Sequence, residues 1–185
     1  ISPDHFSKTY YHWIDNLRDW CISRQIWFGH RIPVWYRTNP NSGDTDEYCG
    51  IQPPTQDEGK GEWVQDEDTL DTWFSSGLWT FSTLGWPNQT EDLKIFHPTS
   101  VIAPGYEILF FWVARMILMS GYHLGQIPFE QIYLHGIVRD KNGKKFSKSA
   151  NNGIDPIEMC DNYGTDALRF ALVFNAAAGN DTLFD

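Results

Sequence analysis

The chain has 185 residues, 41% apolar and 21% charged, and 24 Asp and Glu against 14 Lys and Arg give a formal net charge of -10. That balance is ordinary for a globular chain and excludes disordered, collagen-like and low-complexity classes; the acidic excess argues against a main nucleic-acid surface, whose phosphate contacts come from Lys and Arg. The length fits one domain, or one domain carrying an excursion, and an opening at Ile1 rather than Met reads as a segment of something longer.

In chain order, Phe6, Tyr10, Trp13, Leu17 and Trp20 recur at roughly helical spacing and predict a helix packed on a core. Cys21 to Trp27 reads as a short strand. Residues 38–62 collect Asn39, Pro40, Asn41, Ser42, Gly43, Pro53, Pro54, Gly59 and Gly61, which predicts a turn-rich excursion rather than core. Val101 to Ala103 reads as a strand end, Pro104-Gly105 as a turn, and Tyr106 to His123 as a helix. Its apolar part, Ile108 to Tyr122, is broken by Arg115 and is shorter than the ~20 residues a spanning helix needs, so no membrane partner is expected. Ile132 to Val138 reads as a strand buried on both faces, followed by a basic loop. Asp155-Pro156 opens the next helix, with Asp as N-cap and Pro in the first turn, and Gly164 precedes a last helix over Thr165 to Ala177. Strand, helix, strand, loop and helix in that order predict a parallel α/β sheet, with ligands beyond the carboxyl ends of its strands. The expected division is 1–37 as an entering helix and strand, 38–68 as the acidic excursion, and 69–185 as the ligand-binding part.

Charge is unevenly spread. Twelve of the 24 acids lie between Pro40 and Asp92 against one base, Lys60, whereas Arg139 to Lys148 holds five bases against Asp140 alone. An anion site is therefore compatible with an acidic whole. Cys21, Cys49 and Cys160 are odd in number, far apart and in no Cys-x-x-Cys pairing, so neither a disulfide framework nor a zinc site is expected, and a reducing, cytoplasmic setting is. The six histidines show no metal-ligand spacing, and no nucleophile elbow, zinc-protease, dinucleotide or Walker signature is present.

What remains is Gly143-Lys-Lys-Phe-Ser-Lys-Ser149, in which Lys145 and Lys148 alternate with two hydroxyls. Such a loop can close several donors around a polyphosphate. When pyrophosphate leaves an α-phosphorus, negative charge develops that mobile cations stabilise without a covalent intermediate.

Lys145-Phe-Ser-Lys-Ser149 resembles the Lys-Met-Ser-Lys-Ser signature of class I aminoacyl-tRNA synthetases, with Phe for Met. Asp19-Trp-Cys-Ile-Ser-Arg-Gln-Ile-Trp-Phe-Gly-His-Arg-Ile-Pro33, Leu70-Asp-Thr-Trp-Phe-Ser-Ser76, Phe81-Ser-Thr-Leu-Gly-Trp-Pro87, Gly105-Tyr-Glu-Ile-Leu-Phe-Phe-Trp-Val-Ala-Arg-Met116 and Tyr163-Gly-Thr-Asp-Ala-Leu-Arg-Phe170 resemble the valyl-tRNA synthetase family, in that family's order. Isoleucyl-tRNA synthetases share the first block and the signature loop, so the alternatives are an isoleucyl-tRNA synthetase fragment or a non-catalytic synthetase-like binding module.

The resemblance implies the second half of a Rossmann-like, parallel-sheet catalytic domain with a turn-rich acidic insertion. It implies an enzyme that activates valine with ATP, carried with Mg as substrate, and passes it to tRNA(Val) through the full-length protein. The segment alone is expected to be inactive, since the family's His-Ile-Gly-His element, editing domain and anticodon-binding helices are missing. Residue by residue, Lys145 and Lys148 match the catalytic lysines and, with Ser147 and Ser149, the ATP-phosphate contacts. Gly105 and Glu107 match a Gly-x-Asp element near the ribose, with Glu for Asp. His135, Gly136 and Val138 match the strand end beside the adenine. Trp73, Ile108 and Trp112 match the valine pocket, and Ile108 and Trp112, four apart on one helix, would share a face. Asn151 and Gly153 stand where the family usually carries Gly and Val.

Overall fold

The computed structural model describes residues 1–56, 60–147, 151–174 and 176–184. In chain order the elements are α1 (His5–Asp15), β1 (Ser23–Arg24), β2 (Val34–Thr38), β3 (Thr45–Cys49), β4 (Val64–Gln65), β5 (Thr69–Leu70), α2 (Thr72–Ser76), α3 (Trp79–Ser82), α4 (Glu91–Phe96) and β6 (Thr99–Ile102). A composite helix follows, then β7 (Phe129–Ile132), β8 (Val138–Arg139), α6 (Pro156–Tyr163), α7 (Thr165–Phe174) and β9 (Thr182–Leu183). The chain divides into two compact units, one of residues Ile1–Leu17 with Gly77–Asp185 and one of Arg18–Ser76.

The first unit is built on parallel pairing. β7 runs parallel to β6 with Thr99 opposite Phe129 and Ile102 opposite Ile132. On its other edge Ser2 donates to the Ile132 carbonyl at 2.8 Å and accepts from the Leu134 N–H at 2.8 Å. β8 pairs in parallel with β9, Val138 opposite Thr182 and Arg139 opposite Leu183. Each parallel pair needs a crossover. The composite helix supplies one between β6 and β7, as the element order predicted, and α6 with α7 supplies the other between β8 and β9, a strand absent from the sequence reading.

The core lies where the composite helix meets β7: Leu109, Val113, Met116, Phe129, Ile132 and Leu134 are buried together. α1 lays Phe6, Tyr10 and Trp13 on this cluster, at the i, i+4, i+7 spacing that puts them on one face. Trp13 meets Phe110 at 4.9 Å between ring centroids. Fully burying a side chain such as Leu109 or Met116 stabilises the fold by about 1.5–3 kcal/mol.

Two expectations need correction here. The stretch Tyr106 to His123 is not uniformly α-helical: it begins as a 3-10 turn over Tyr106–Ile108, continues as a π-helical stretch over Leu109–Ala114 and becomes α5 over Arg115–Leu124, which Gly125 ends in the left-handed conformation. The strand expected over residues 132–138 is interrupted, β7 ending at Ile132 and β8 beginning at Val138 with only isolated bridges at Tyr133 and His135 between them, and its burial is one-sided. Ile132 and Leu134 are inside while Tyr133 and His135 are exposed, the period-2 alternation of a sheet covered on one side.

The cap expected at Asp155 forms, its side chain accepting from the Ile157 N–H ahead of Pro156. A second cap, not read from the sequence, is Thr90, which accepts from the Leu93 N–H at the start of α4. α7 ends at Phe174, short of Ala177, and Phe170, Val173 and Phe174 on it are exposed.

In the second unit β2 is the centre of an antiparallel sheet in the order β3-β2-β4, so the turn-rich span holds regular structure that its composition concealed. Arg37 lies opposite Asp46 across the ladder and bonds it at 2.5 Å, with its guanidinium 4.4 Å from the Trp63 ring centre. Opposite-charge cross-strand pairs of this kind hold register. Asn39, Asn41 and Gly43 form the turn between β2 and β3, where Gly43 takes φ +76°, and Gly61 takes φ +83° ahead of β4. β1 pairs antiparallel with β5, and Arg24 forms an ion pair with Asp71.

Candidate nucleotide site

Three segments of the first unit converge beyond the ends of the parallel strands. The first is the turn after β6. Gly105 and His135 form a parallel bridge, the His135 N–H donating to Pro104 O at 3.1 Å and the Tyr106 N–H to His135 O at 3.1 Å. Glu107 thus emerges from a turn fixed to the following strand.

The second segment is His135 to Val138. His135 Nδ1 is 2.7 Å from the Gly136 carbonyl; because the carbonyl can only accept, Nδ1 is the donor of this bond. Gly136 is sterically compelled, since a Cβ there would lie 1.6 Å from Asn180 O. A Cβ at Gly105 would meet only side-chain ends, at 3.0 Å from Ile137 Cδ1 and 3.4 Å from His135 Cε1. The backbone before β9 therefore closes directly over this strand, and Gly136 is what permits the approach.

The third segment is the basic hairpin. Arg139 and Lys145 form an antiparallel bridge, and Gly143 turns the chain at φ +77°. Asp140 Oδ1 accepts from the N–H groups of Asn142 and Lys144, each at 2.9 Å. Asn152 closes the loop from its far end: its Oδ1 accepts from Ser147 N at 2.9 Å, and its Nδ2 donates to Asp140 Oδ2 at 3.0 Å and Lys145 O at 3.2 Å. The Asn152 amide, then the Lys144 N–H, holds the Asp140 carboxyl below the ordinary carboxylate range. Asn151 takes φ +48°, a conformation that Asn tolerates better than other residues with a Cβ, so Asn suits a place where the family usually carries Gly. Phe146, Ser147, Asn151 and Gly153 line an open hollow of about 440 Å³.

Lys145 and Glu107 make an ion pair between the first and third segments. Beside it Asp181 gathers all three: Oδ1 accepts from Ile137 N at 2.8 Å, and Oδ2 accepts from Tyr106 Oη at 3.0 Å and from Arg139 Nε. Asp181 and then Tyr106 raise the Arg139 pKa. Burial pushes the Asp181 pKa up, but the Ile137 N–H, the guanidinium and the phenol outweigh it and leave the pKa below the ordinary value.

Of the residues read from the sequence, Gly105, Glu107, His135, Gly136, Val138, Lys145 and Ser147 belong to this convergence. Lys148 and Ser149 lie outside the described residues. Ile108 sits in the 3-10 turn and Trp112 in the π-helical stretch, and Trp112 packs near Trp79, 5.8 Å between centroids. Trp73 is half-buried on α2 of the other unit, where its N–H donates to Asp71 at 2.7 Å. Asp140, Asn152, Arg139, Tyr106 and Asp181 were not singled out as site residues. A hairpin-internal Asp with a downstream Asn was a usable signal for the first two, but nothing near Asp181 in the sequence points to residues 106 and 139. Among the described residues no three His, Cys, Asp or Glu side chains converge as metal ligands, and no helix is long and apolar enough to cross a membrane.

The geometry has counterparts among known proteins. The chain is 53% identical to a valine–tRNA ligase of Clostridium tetani over 98% of its length, and 56% identical to one of Symbiobacterium thermophilum over 100%. In both cases it spans 20% of the relative's length. Among solved structures it matches the LeuRS of Agrobacterium radiobacter K84, in a ternary complex with tRNA and LeuAMS, with TM-score 0.67 and 21% identity over 98% of this chain and 29% of that one. A Mycobacterium tuberculosis methionyl-tRNA synthetase in complex with methionyl-adenylate matches with TM-score 0.67 and 19% identity, over 99% and 30%. These two likenesses establish the α/β fold. A family profile described as tRNA synthetases class I (I, L, M and V) matches residues 1–185, and with strands, turn and hairpin arranged as above, the chain belongs to that family.

Proposed function

We propose that this chain is part of the catalytic domain of a valine–tRNA ligase, which activates valine with ATP to valyl-adenylate and transfers it to tRNA(Val). The observation that carries this reading is the meeting of Lys145 in the signature hairpin with Glu107 in the turn after β6, which brings a phosphate-binding cation to the element assigned to the ribose. Identities above 50% to proteins named valine–tRNA ligase favour valine over isoleucine. In this reading ATP enters as its Mg complex, tRNA(Val) is engaged through the full-length protein, and the setting is cytoplasmic. No zinc is needed.

The roles follow from charge. Lys145 and Lys148, with the Ser147 and Ser149 hydroxyls, hold the triphosphate and meet the charge that grows as pyrophosphate leaves. Glu107 accepts from ribose hydroxyls once Lys145 turns to the phosphates. His135 to Val138 lie along the adenine, and Ile108 and Trp112 offer apolar surface to the isopropyl group, a role that the sequence resemblance also gives to Trp73. Residues 38–68 are an insertion between 1–37 and the nucleotide-binding span 69–185.

Valine-dependent ATP–pyrophosphate exchange by the full-length protein tests the reading. Valine should support exchange far better than isoleucine, and Lys148→Ala should cut kcat much more than it raises KM for valine. Exchange supported by isoleucine and not valine would overturn it, as would valine-dependent exchange by this segment alone for the claim that half a site is inactive.

A further inference from the structure

Asp181 follows the signature loop by more than thirty residues and belongs to no part of the ATP-contacting set, yet its carboxylate reaches every segment of the site. Oδ1 accepts from the Ile137 N–H at 2.8 Å, inside the strand assigned to the adenine. Oδ2 accepts from Tyr106 Oη at 3.0 Å, between Gly105 and Glu107. The same oxygen accepts from Arg139 Nε at the base of the hairpin, and Arg139 Nη1 continues to Gly143 O at the hairpin turn, 3.3 Å away. Arg139 Nη2 lies 3.4 Å from Tyr106 Oη and closes the triangle.

The carboxylate has little freedom to be elsewhere. Thr182 N donates to Ile137 O at 3.0 Å and Phe184 N to Arg139 O at 2.8 Å, so the parallel β8–β9 pair fixes the backbone on one side. On the other, Asn180 O occupies the space a Cβ at Gly136 would need. Tyr106 is held in turn by stacking on Phe6, 5.6 Å between centroids at 18°. A charged hub with a fixed backbone and several directed donors is the arrangement that pre-organises a site rather than one that contacts substrate.

We propose that Asp181 is a positioning residue of the nucleotide site, clamping the turn at Tyr106, the strand at Ile137 and the hairpin at Arg139 in the mutual register in which ATP is bound. The inference rests on the ATP-binding reading above but not on the identity of the amino acid. It separates ATP from valine: loosening the three-way register weakens the nucleotide contacts and leaves the apolar wall untouched.

The test uses the full-length enzyme that carries this chain, as wild type, Asp181→Asn, Arg139→Gln and the double variant. Asp181→Asn keeps an oxygen for the Ile137 N–H while removing the acceptor charge for Arg139 and Tyr106, so the backbone pairing survives even if Asp181→Ala does not fold. The readouts are the ATP dissociation constant by calorimetry and the KM values for ATP and valine in exchange. We expect ATP affinity to fall by about tenfold or more, the loss typical of a hydrogen bond to a charged group, with KM for valine changed less than about twofold. The double variant should be no worse than the weaker single one, because both break the same clamp. Unchanged ATP affinity in Asp181→Asn, equal losses for ATP and valine, or additive effects in the double variant would overturn the proposal. A wild type that binds ATP but does not exchange with valine would refute the valine assignment alone, since the ratio of ATP affinities still judges Asp181.

Discussion

Gly136→Ala is the sharpest mechanical test of how the site is closed. An ideal Cβ at position 136 sits 1.6 Å from Asn180 O, 2.2 Å from Asn180 C and 2.8 Å from Asp181 N. Those are backbone atoms, so no side-chain rotation relieves the contact, and restoring ordinary van der Waals separation needs a displacement of nearly 2 Å between the two segments. A shift of that size takes the Thr182–Ile137, Phe184–Arg139 and Ile137–Asp181 hydrogen bonds, now 3.0, 2.8 and 2.8 Å, out of range. At about 1 kcal/mol net for each, the expected destabilisation is about 3 kcal/mol, at the upper end of the usual overpacking cost. Because Asp181 moves with β9, ATP affinity should fall with it. Urea denaturation of the full-length enzyme reads the first quantity and calorimetry with ATP the second. A loss below about 1 kcal/mol with unchanged ATP binding would refute the reasoning that this glycine admits the clamp.

Three further outcomes are expected. His97 is buried, its Nε2 is 3.2 Å from Ser120 Oγ, whose own proton goes to Gln126 O at 2.8 Å, and its Nδ1 is buried without a partner. Burial lowers its pKa, so as pH falls below the ordinary histidine value of about 6.5 the unfolded chain takes up a proton that the folded chain refuses, and stability drops. Melting temperature followed from pH 7.5 to 5.5 should therefore fall less in His97→Gln than in wild type; parallel curves would exclude this histidine as the cause. Asp155→Ala removes the acceptor for the Ile157 N–H and should cost about 1 kcal/mol, visible as faster amide exchange confined to α6. Glu107→Gln breaks the pair with Lys145, whose side chain is 53% exposed, so stability should change by less than about 1 kcal/mol; a loss above about 2 kcal/mol in urea denaturation would mean the pair is structural rather than a resting contact between two nucleotide-binding groups.

What the sequence made legible was local. The Asp155-Pro156 cap, the helix under Phe6, Tyr10 and Trp13, and the strand–helix–strand order are each set by residues a few positions apart, where propensity and periodicity act directly. The β2–β3 pair was obscured because Asn39, Pro40, Asn41 and Gly43 dominate the composition of its turn, while the strand signal lies in an Arg37–Asp46 match visible only after folding. The π-helical stretch was missed for a related reason: Leu109–Ala114 is as apolar as an α-helix requires, and no local residue announces the change in hydrogen bonding.

The same distinction explains the site. Lys145 and Ser147 could be proposed from the sequence because a loop suited to phosphate concentrates cations and hydroxyls within a few residues. Asn152 and Asp140 stood within reach of that pattern, since Asn and Asp bond nearby backbone. Asp181 stood outside it. Its partners at 106, 137 and 139 are assembled by the return of β9 beside β8, so its role is a property of the parallel pairing and not of any segment. A residue that positions others leaves its trace in the sequence only where its neighbours must make room for it, and Gly136, which faces the Asn180 carbonyl at 1.6 Å from any added Cβ, is that trace. A glycine between two strands, at a backbone conformation that does not itself require glycine, is thus a pointer to a second backbone passing close by.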